Sequence, residues 1–397
     1  MRHWHRWHMR FCGVKTPSVF LPQNRFRLFA GSLATGMILL SIHSIWGKAK
    51  PRTPIPIKKE VLTLGTAARL LEDSLLFQKG ALGTITSIVP LLFHSDSLPG
   101  LLVAGHYGAA YLSGNGKLRS AVKFEHEGYR VVPVNLEGGY AFMNRGGDRQ
   151  QVGLFDSEGR EIWRYGLGMD PVPNDMAAGD LDGDGRPEFV VGMSGEDGLL
   201  LLDAAGKEKW KQPESHVWHV EVLDLDGDGK TEILHSNADG QARIRDADGK
   251  LIRDVPSANY VVAFSICRWP DANGSWVLLN NNKLEGIQLM DFSGNVVNKF
   301  VPPVKGLRVL GTPVRLSATE KPYFALLVCD CAPRHDTHLY LYDAKGEIVF
   351  ERRFLTPQAT LLSVPDDTLG TEKLLVGESE GAVWQIRLKP VGPIKRN

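Results

Sequence analysis

Two short acidic segments of this chain have residue types and a spacing that suit metal coordination. The first reads DLDGDGRPE over residues 180–188, and the second reads DLDGDGKTE over residues 224–232. In each copy carboxylates occupy positions 1, 3, 5 and 9, where they repel one another unless a cation lies among them. The glycines allow a tight turn that directs every second side chain inward. Ca²⁺ takes roughly six to eight oxygen ligands in flexible geometry, so each segment predicts a calcium site.

The predicted ligands are equivalent positions in the two copies, and position 7 contributes its backbone carbonyl oxygen whatever its side chain. They are Asp180, Asp182, Asp184, Arg186 and Glu188 in the first copy, and Asp224, Asp226, Asp228, Lys230 and Glu232 in the second. The alternative interpretation is a pair of solvated acidic turns that hold no metal. The exact repetition of the spacing favours two Ca²⁺ sites.

An EF-hand does not fit these segments. That loop requires a glutamate at position 12 and a helix on each side. Position 12 is Val191 in the first copy and His235 in the second, and the residues that follow, FVVGMS and ILHSNA, are typical of strands. Each acidic loop is therefore predicted to join two strands.

A second motif, a strand followed by a glycine-containing turn, recurs along the chain and indicates how the loops are positioned. It appears as AAYLSGNGKL, VGLFDSEGREIW, LLLLDAAGKEKW, ARIRDADGKLI, IQLMDFSGNVV and LYLYDAKGEIV. The turn glycines are Gly116, Gly159, Gly206, Gly249, Gly294 and Gly346, and successive ones lie 43 to 52 residues apart. An Asp-x-x-Gly turn suits a hairpin with glycine in the left-handed region. A seventh unit, at 373–388, has the strand pair but lacks the turn.

Each unit holds four short strand candidates, and no long helical period appears between residues 80 and 390. This pattern is typical of a β-propeller, in which a ring of stacked sheets buries faces that one sheet cannot bury alone. Residues 83–389 allow about 44 positions for each of seven units. The predicted fold class is all-β, a seven-bladed β-propeller of four-stranded antiparallel blades. An open solenoid is the alternative, but it would need capping repeats that are not evident.

The segments AAGDLDGDGRPEFVVGMSGEDG and VEVLDLDGDGKTEILHSNADG resemble the FG-GAP/VCBS repeats of integrin alpha-type β-propellers. The resemblance covers roughly residues 180–250, and it implies one Ca²⁺ between the first and second strands of each of two neighbouring blades. The loops RWPDANGSW, LSATEKPYF and VPDDTLGTEK of later units lack the alternating carboxylates, so no metal is predicted there. DSEGREIW and DAAGKEKW also look like hairpins of PQQ-type propellers, which we interpret as an echo of the fold.

The first 60 residues differ in composition from the remainder. Residues 1–27 form a basic lead, residues 28–46 are free of charge, and residues 47–60 form a basic, proline-rich spacer. This order predicts a signal anchor or transmembrane helix over 28–46, with a cleaved signal peptide as the alternative. Loops of this type belong with weak sites that fill only at extracellular Ca²⁺ levels. The predicted location is therefore membrane-anchored with the propeller outside the cytoplasm, periplasmic or extracellular, or secreted if the signal is cleaved.

Ring closure should involve both ends of the propeller. The tail 390–397 contains prolines that lack backbone donors, so it is a poor fourth strand for the last blade. The interval 61–82 precedes the first blade, and its segment EVLTLG alternates apolar and polar residues. The prediction is that residues 61–64 complete the last blade as its outer strand.

Composition and motifs narrow the function. The net charge is +1 and no basic stripe runs through the repeats, so nucleic acid is not an expected partner. No nucleophile elbow, phosphate loop or zinc signature is present, so no enzymatic activity is predicted. The first hypothesis is a protein-interaction scaffold near a membrane, and the alternative is a carbohydrate-binding or polysaccharide-active propeller of lectin or lyase type. Candidate polar residues for the alternative are His216, Trp218, His219, His335, Asp336 and His338.

Two further groups could bind metal, but plainer interpretations are favoured. His3, His5 and His8 lie in the basic N-terminal lead, where a membrane-surface role is expected. Cys329 and Cys331 meet no zinc spacing and are expected to be buried small residues or one disulfide.

Overall fold

The structure is a computed structural model that describes residues 71–388 with short internal gaps. The gaps are 92–99, 125–127, 135–138, 145–149, 157–158, 169–171, 257–263, 269–275, 283–285, 305, 307, 317–320, 330–335, 355–359 and 367–369. Within the described residues, 28 strands form seven antiparallel sheets of four strands each. The sheets are numbered here in chain order.

The first four sheets each consist of four consecutive strands. The first sheet contains β2 (Ile85–Leu91), β3 (Gly100–Gly105), β4 (Gly108–Leu112) and β5 (Leu118–Lys123). The second contains β6 (Gly128–Pro133), β7 (Tyr140–Asn144), β8 (Gln150–Phe155) and β9 (Glu161–Gly168). The third contains β10 (Pro173–Gly179), β11 (Glu188–Met193), β12 (Leu199–Leu202) and β13 (Glu208–Gln212). The fourth contains β14 (His219–Leu223), β15 (Glu232–Ser236), β16 (Ala242–Arg245) and β17 (Leu251–Asp254).

The last three sheets follow the same order, except that the seventh takes its outer strand from the start of the described chain. The fifth contains β18 (Ser265–Arg268), β19 (Trp276–Asn282), β20 (Gly286–Met290) and β21 (Val296–Phe300). The sixth contains β22 (Arg308–Val314), β23 (Tyr323–Cys329), β24 (Thr337–Tyr342) and β25 (Ile348–Phe354). The seventh contains β26 (Thr360–Pro365), β27 (Glu372–Gly377), β28 (Ala382–Leu388) and β1 (Leu71–Gln78).

Each sheet buries both of its faces against its two neighbours. In β23, Phe324 and Leu326 pack toward the fifth sheet, whereas Ala325 and Leu327 pack toward the seventh. This division follows from the strand period of two, which sends successive side chains to opposite faces. A further cluster joins Leu375 of the seventh sheet to the first sheet. First strands of consecutive sheets also contact one another, as when β10 contacts β6 and β14. The described chain is therefore all-β with a propeller-like order of sheets.

The six repeated turns have the predicted backbone conformation. Their glycines have φ between 76° and 89°, in the left-handed region that favours glycine. At Gly206 a Cβ atom would lie 2.5 Å from the indole of Trp163 on the preceding sheet. Gly206 thus serves both the hairpin and the packing between sheets, whereas a Cβ atom at Gly346 would meet no atom of the described residues within 4 Å.

The closing strand differs from the predicted one. Residues 61–64 lie outside the described residues, and the edge of β28 is instead paired with β1, with Leu71 opposite Leu388 and Leu75 opposite Trp384. The physical reason lies in side-chain contacts that a period-two pattern does not reveal. The carboxylate of Asp73 accepts a hydrogen bond from Arg352 of the sixth sheet, and Ser74 accepts one from Gln385 at 3.0 Å.

The predicted fold class combined a seven-bladed β-propeller with a preceding transmembrane helix, and the prediction of the helix is wrong. In the described part of the chain, helical structure consists of one-turn 3-10 segments, Gly80–Leu82 and Ser379–Gly381. No helix there is long and apolar enough to cross a membrane. The described backbone satisfies its hydrogen bonds by antiparallel pairing, which leaves no long helical stretch. Residues 28–46, where the helix was predicted, lie outside the described residues.

Candidate metal centres and the polar networks beside them

The acidic loop of the third sheet lies between β10 and β11, as the sequence predicted. Carboxylate oxygens of Asp180, Asp182 and Glu188 all lie within 4.8 Å of one another. The loop curls because Asp180 accepts hydrogen bonds from the backbone N–H groups of Gly183 at 2.8 Å and Gly185 at 2.9 Å. Glu188 is buried at the start of β11 and accepts the N–H of Leu181 at 2.9 Å. Three carboxylates thus converge in what we call the third-sheet centre.

The fourth sheet repeats this arrangement between β14 and β15. Carboxylate oxygens of Asp224, Asp226 and Glu232 lie within 4.8 Å of one another. Asp224 accepts the N–H groups of Gly227 at 2.7 Å and Gly229 at 3.1 Å. Glu232 accepts the N–H of Leu225 at 2.9 Å, as Glu188 does from Leu181. These residues form the fourth-sheet centre.

The remaining predicted ligands lie beside the clusters. Asp184 accepts the backbone N–H of Arg186 at 2.8 Å and also its guanidinium Nη2 at 2.9 Å. Asp228 accepts the backbone N–H of Lys230 at 2.8 Å. The structure therefore brings together three of the four carboxylates in each loop, and the ligand role of all ten predicted residues stays a prediction.

The electrostatics of both clusters suit a bound cation. Burial raises the pKa of Glu188, and the neighbouring Asp182 and Asp184 raise it further. Burial likewise raises the pKa of Glu232, with added repulsion from the aspartates of its own loop. Crowded, partly buried carboxylates of this kind are stabilised by a cation among them. All-oxygen donors suit Ca²⁺ or another hard divalent cation, so the residues fit the predicted ion.

The candidate residues His216 and Trp218 lie at the opposite end of the same sheets, in the connection from β13 to β14. Their ring centroids are 3.7 Å apart. Asn174 of β10 reaches this pair, since its Nδ2 lies 3.0 Å from Nε2 of His216 and 2.9 Å from the carbonyl oxygen of Val217. His216 has φ of 28°, in the left-handed region. Such strain costs about 1–3 kcal/mol in a non-glycine residue and concentrates at functional sites. We call His216, Trp218 and Asn174 together the aromatic cluster.

His219, the third candidate of this segment, belongs instead to a charged row across the first strands of three sheets. Its Nδ1 contacts the carboxylate of Asp175, and its Nε2 lies 3.2 Å from Glu221. Arg130 of the second sheet lies 3.1 Å from the other oxygen of Asp175. Sequence inspection missed Asp175, Glu221 and Arg130, because 44 residues separate Asp175 from His219 and no motif marks their contact.

A second network missed by sequence inspection surrounds Glu214, just after β13. This buried carboxylate accepts hydrogen bonds from Nη1 of Arg243 at 2.8 Å and from Nη2 of Arg245 at 2.7 Å. Arg245 in turn donates to Nε2 of His235 at 3.0 Å. Burial and the adjacent Arg245 lower the pKa of His235 to about 4. This network joins the third sheet to the fourth.

The sixth-sheet candidates do not gather into a comparable cluster among the described residues. Asp336 accepts a hydrogen bond from Arg353, and Nδ1 of His338 lies 3.3 Å from Glu351. Cys329 is buried at the end of β23. His335, Cys331 and the N-terminal histidines lie outside the described residues.

Comparison with curated proteins finds local similarity to two enzymes of Bacillus subtilis (strain 168). Rhamnogalacturonan endolyase YesW is 33% identical over 107 residues, which are 22% of this chain and 17% of that protein. Rhamnogalacturonan exolyase YesX is 34% identical over 101 residues, which are 20% of this chain and 16% of that protein. The chain therefore spans about a sixth of the length of these curated relatives.

Comparison with solved structures supports the fold. BBS1N in complex with ARL6DN, in a crystal soaked with lead, has a TM-score of 0.56 at 14% identity and covers 81% of this chain and 98% of that chain. The same complex soaked with mercury gives a TM-score of 0.57 at 13% identity over the same shares. At this identity the likeness shows the fold alone, and it agrees with a β-propeller. No protein-family model matches the chain, so membership of the FG-GAP/VCBS family is not confirmed.

Proposed function

We propose that this protein is a carbohydrate-binding β-propeller stabilised by Ca²⁺ at the third- and fourth-sheet centres. The observation that carries the carbohydrate part is the local similarity to two rhamnogalacturonan lyases, at 33% and 34% identity. Because the chain spans only about a sixth of those enzymes, the proposal is limited to binding and includes no cleavage step.

The aromatic cluster supplies the chemistry that a sugar ring requires. An aromatic face packs against the apolar C–H groups of the ring, and amide or imidazole groups at its edge bind the hydroxyls. Trp218 and His216 are half-buried, so each keeps some accessible surface. Asn174 fixes the orientation of His216 from the neighbouring strand. We therefore propose the aromatic cluster as the sugar-contacting surface.

Ca²⁺ would serve this function by fixing the shape of the third and fourth sheets. When bound, the ion would neutralise the converging carboxylates and hold the end of each first strand to the start of the second. The aromatic cluster lies at the opposite end of these sheets, so the ion would act on sugar binding through the fold rather than by direct contact.

The test is titration of soluble rhamnogalacturonan fragments into the protein in 1 mM Ca²⁺, with an unrelated neutral polysaccharide for comparison. Trp218→Ala should weaken binding about tenfold, since an aromatic contact contributes up to about 1.5 kcal/mol beyond its buried area. Tyr107→Ala removes an exposed ring from the turn of the first sheet and is the matched control. Absence of binding to any polysaccharide would overturn the carbohydrate proposal.

A protein-interaction role is the second candidate, favoured by exposed apolar side chains on the outer strands of the second, fourth and fifth sheets. Ile162 of β9, Ile252 of β17 and Val296 of β21 are each about half exposed and lie just after their repeated turns. In this role a protein partner would cover these positions. This second role would be supported if the protein bound no polysaccharide and if Ile162→Asp abolished its binding to a purified protein partner.

The proposal extends to location outside the cytoplasm. Calcium sites with few carboxylates have Kd values of about 10⁻⁴ to 10⁻³ M, so they fill at millimolar Ca²⁺ and stay empty at cytosolic levels. Protection of the protein from an added protease in cells whose cytoplasmic membrane is intact and whose outer membrane, where there is one, has been permeabilised would contradict this location.

A further inference from the structure

Lys209 distinguishes the two otherwise equivalent acidic centres. Its Nζ lies 2.7 Å from Oδ2 of Asp182 and 3.7 Å from Oε1 of Glu188. Both carboxylates belong to the third-sheet centre. The ammonium group of Lys209 therefore contacts the same carboxylate oxygens that a metal ion would need as ligands.

The fourth-sheet centre has an apolar residue at the matching position. In each sheet the pairing of the third and fourth strands shifts register just after the turn, and the skipped residue is Lys209 in β13 and Ile252 in β17. Both lie three residues after their turn glycine. Ile252 is 51% exposed and carries no charge. The two centres are thus equivalent in their carboxylates and differ in one neighbouring side chain, which is a lysine in the third sheet and an isoleucine in the fourth.

We propose that Lys209 competes with Ca²⁺ for Asp182 and Glu188, so that the fourth-sheet centre fills first and the third-sheet centre fills only as the ammonium withdraws. This inference rests on the proposed Ca²⁺ binding and adds an order of occupancy to it. Such an order would let one centre act as a permanent structural site and the other respond to Ca²⁺ concentration.

The side chain of Lys209 is able to withdraw. It is 36% exposed, and its flexible four-carbon stem starts from the surface strand of the sheet. Withdrawal exchanges a partly screened ion pair for hydration of the ammonium. Because such pairs are weak, we expect the competition to reduce the Ca²⁺ affinity of the third-sheet centre by about fivefold.

The test is calorimetric titration of the full chain with Ca²⁺. Wild type should bind two ions in unequal steps, with Asp226→Asn removing the tight step and Asp182→Asn the weak one. Lys209→Met should tighten the weak step by about fivefold. Ile252→Lys should weaken the tight step by a similar factor, because it places an ammonium in the fourth-sheet centre.

The matched control is Lys211→Met on the same strand, since the ammonium of Lys211 lies 3.3 Å from Glu208 and outside the cluster. It should leave both steps unchanged. If Lys209→Met fails to fold by circular dichroism, Lys209→Gln and Ile252→Lys test the same point. If neither the Lys209 variants nor Ile252→Lys changes the affinity of either Ca²⁺-binding step, the proposed competition is wrong, although Ca²⁺ binding itself is confirmed. Absence of Ca²⁺ binding in wild type and in every variant would instead overturn the proposed metal function, and this inference with it.

Discussion

Oε2 of Glu214 lies 2.7 Å from Nη2 of Arg245, and this buried ion pair joins the segment after the third sheet to the third strand of the fourth. Arg243 contacts the same carboxylate at 2.8 Å. Two guanidinium groups therefore share this acid, although Arg243 also lies 3.1 Å from the carboxylate of Asp254. Burial opposes ionisation of Glu214, but the hydrogen bonds from Arg243 and Arg245 lower its pKa to about 2.

Removal of the Glu214 carboxylate should be strongly destabilising. Glu214→Ala leaves Arg245 buried without an opposing charge, and loss of one partner of a buried pair costs about 3–5 kcal/mol. Urea unfolding followed by circular dichroism measures this change. Glu208→Ala is the control, since its carboxylate is surface-exposed and its pairing with Lys211 is worth at most about 1 kcal/mol. Equal losses for the two variants would contradict the assigned role of Glu214.

The contact between Asp175 and His219 should make stability depend on pH in two windows. Burial opposes ionisation of Asp175, but Arg130 and His219 lower its pKa from 3.8 to about 2. Burial alone would lower the pKa of His219, but the Asp175 carboxylate raises it from 6.5 to about 9. The Asp175 contribution is present above pH 3.8 and is lost as the pH falls to about 2. The His219 contribution is present below pH 6.5 and is lost as the pH rises to about 9.

Unfolding in urea between about pH 2 and about pH 10 tests this dependence, because the Asp175 window ends near pH 2 and the His219 window near pH 9. The difference in free energy of unfolding between wild type and Asp175→Asn should be largest between about pH 4 and pH 6.5, and it should shrink on both sides. His219→Gln should remove the loss of stability between pH 6.5 and about pH 9. It should keep most of the loss below pH 3.8, because Arg130 still contacts Asp175. A difference that is constant over the whole range would show that these two groups are not coupled to folding.

The local features of the fold were predictable from sequence, whereas the long-range ones were not. The turn glycines and the curled acidic loops depend on neighbours within a few residues, and their spacing reveals them directly. The contacts of Asp175 with His219 and of Lys209 with Asp182 join residues of different strands, so only the register of the sheets brings them together. Aligning the repeats at Gly206 and Gly249 would have shown Lys209 opposite Ile252, a difference in charge beside two loops whose four carboxylate positions all agree.

Calcium should raise the melting temperature of wild type relative to the protein in EDTA. At 1 mM Ca²⁺, a fourth-sheet centre with a Kd near 10⁻⁴ M would add about 1.4 kcal/mol of stability, and the weaker third-sheet centre would add less. Asp226→Ala and, to a smaller extent, Asp182→Ala should reduce the gain in Ca²⁺ and change little in EDTA. Asp248→Ala removes an exposed carboxylate from the neighbouring turn and should keep the full gain. Melting temperatures of wild type that are equal in excess Ca²⁺ and in EDTA would sink the proposal that these loops bind the ion.

The seventh sheet offers a test of how the two ends of the described chain are held together. Asp73 of β1 contacts Arg352 of the sixth sheet, whose guanidinium also lies 4.1 Å from the ring centroid of Trp384 on β28. Burial lowers the pKa of Arg352, whereas the Asp73 carboxylate opposes that shift by stabilising its charge. Asp73 therefore ties the outer strand of the seventh sheet to the sixth sheet, and its loss would leave a largely buried cation without this partner.

Asp73→Ala should accordingly cost about 3 kcal/mol, the lower end of the range for a broken buried pair. Glu72→Ala on the same strand is the matched control. Its carboxylate pairs with Arg387 at 2.8 Å but is 32% exposed, so the loss should stay below about 1 kcal/mol. Thermal unfolding of both variants checks the difference, and Asp73→Ala should also expose β1 to proteolysis before the other strands. If the two substitutions destabilise the protein equally, the closing strand is held by its backbone pairing with β28 rather than by the contact with Arg352.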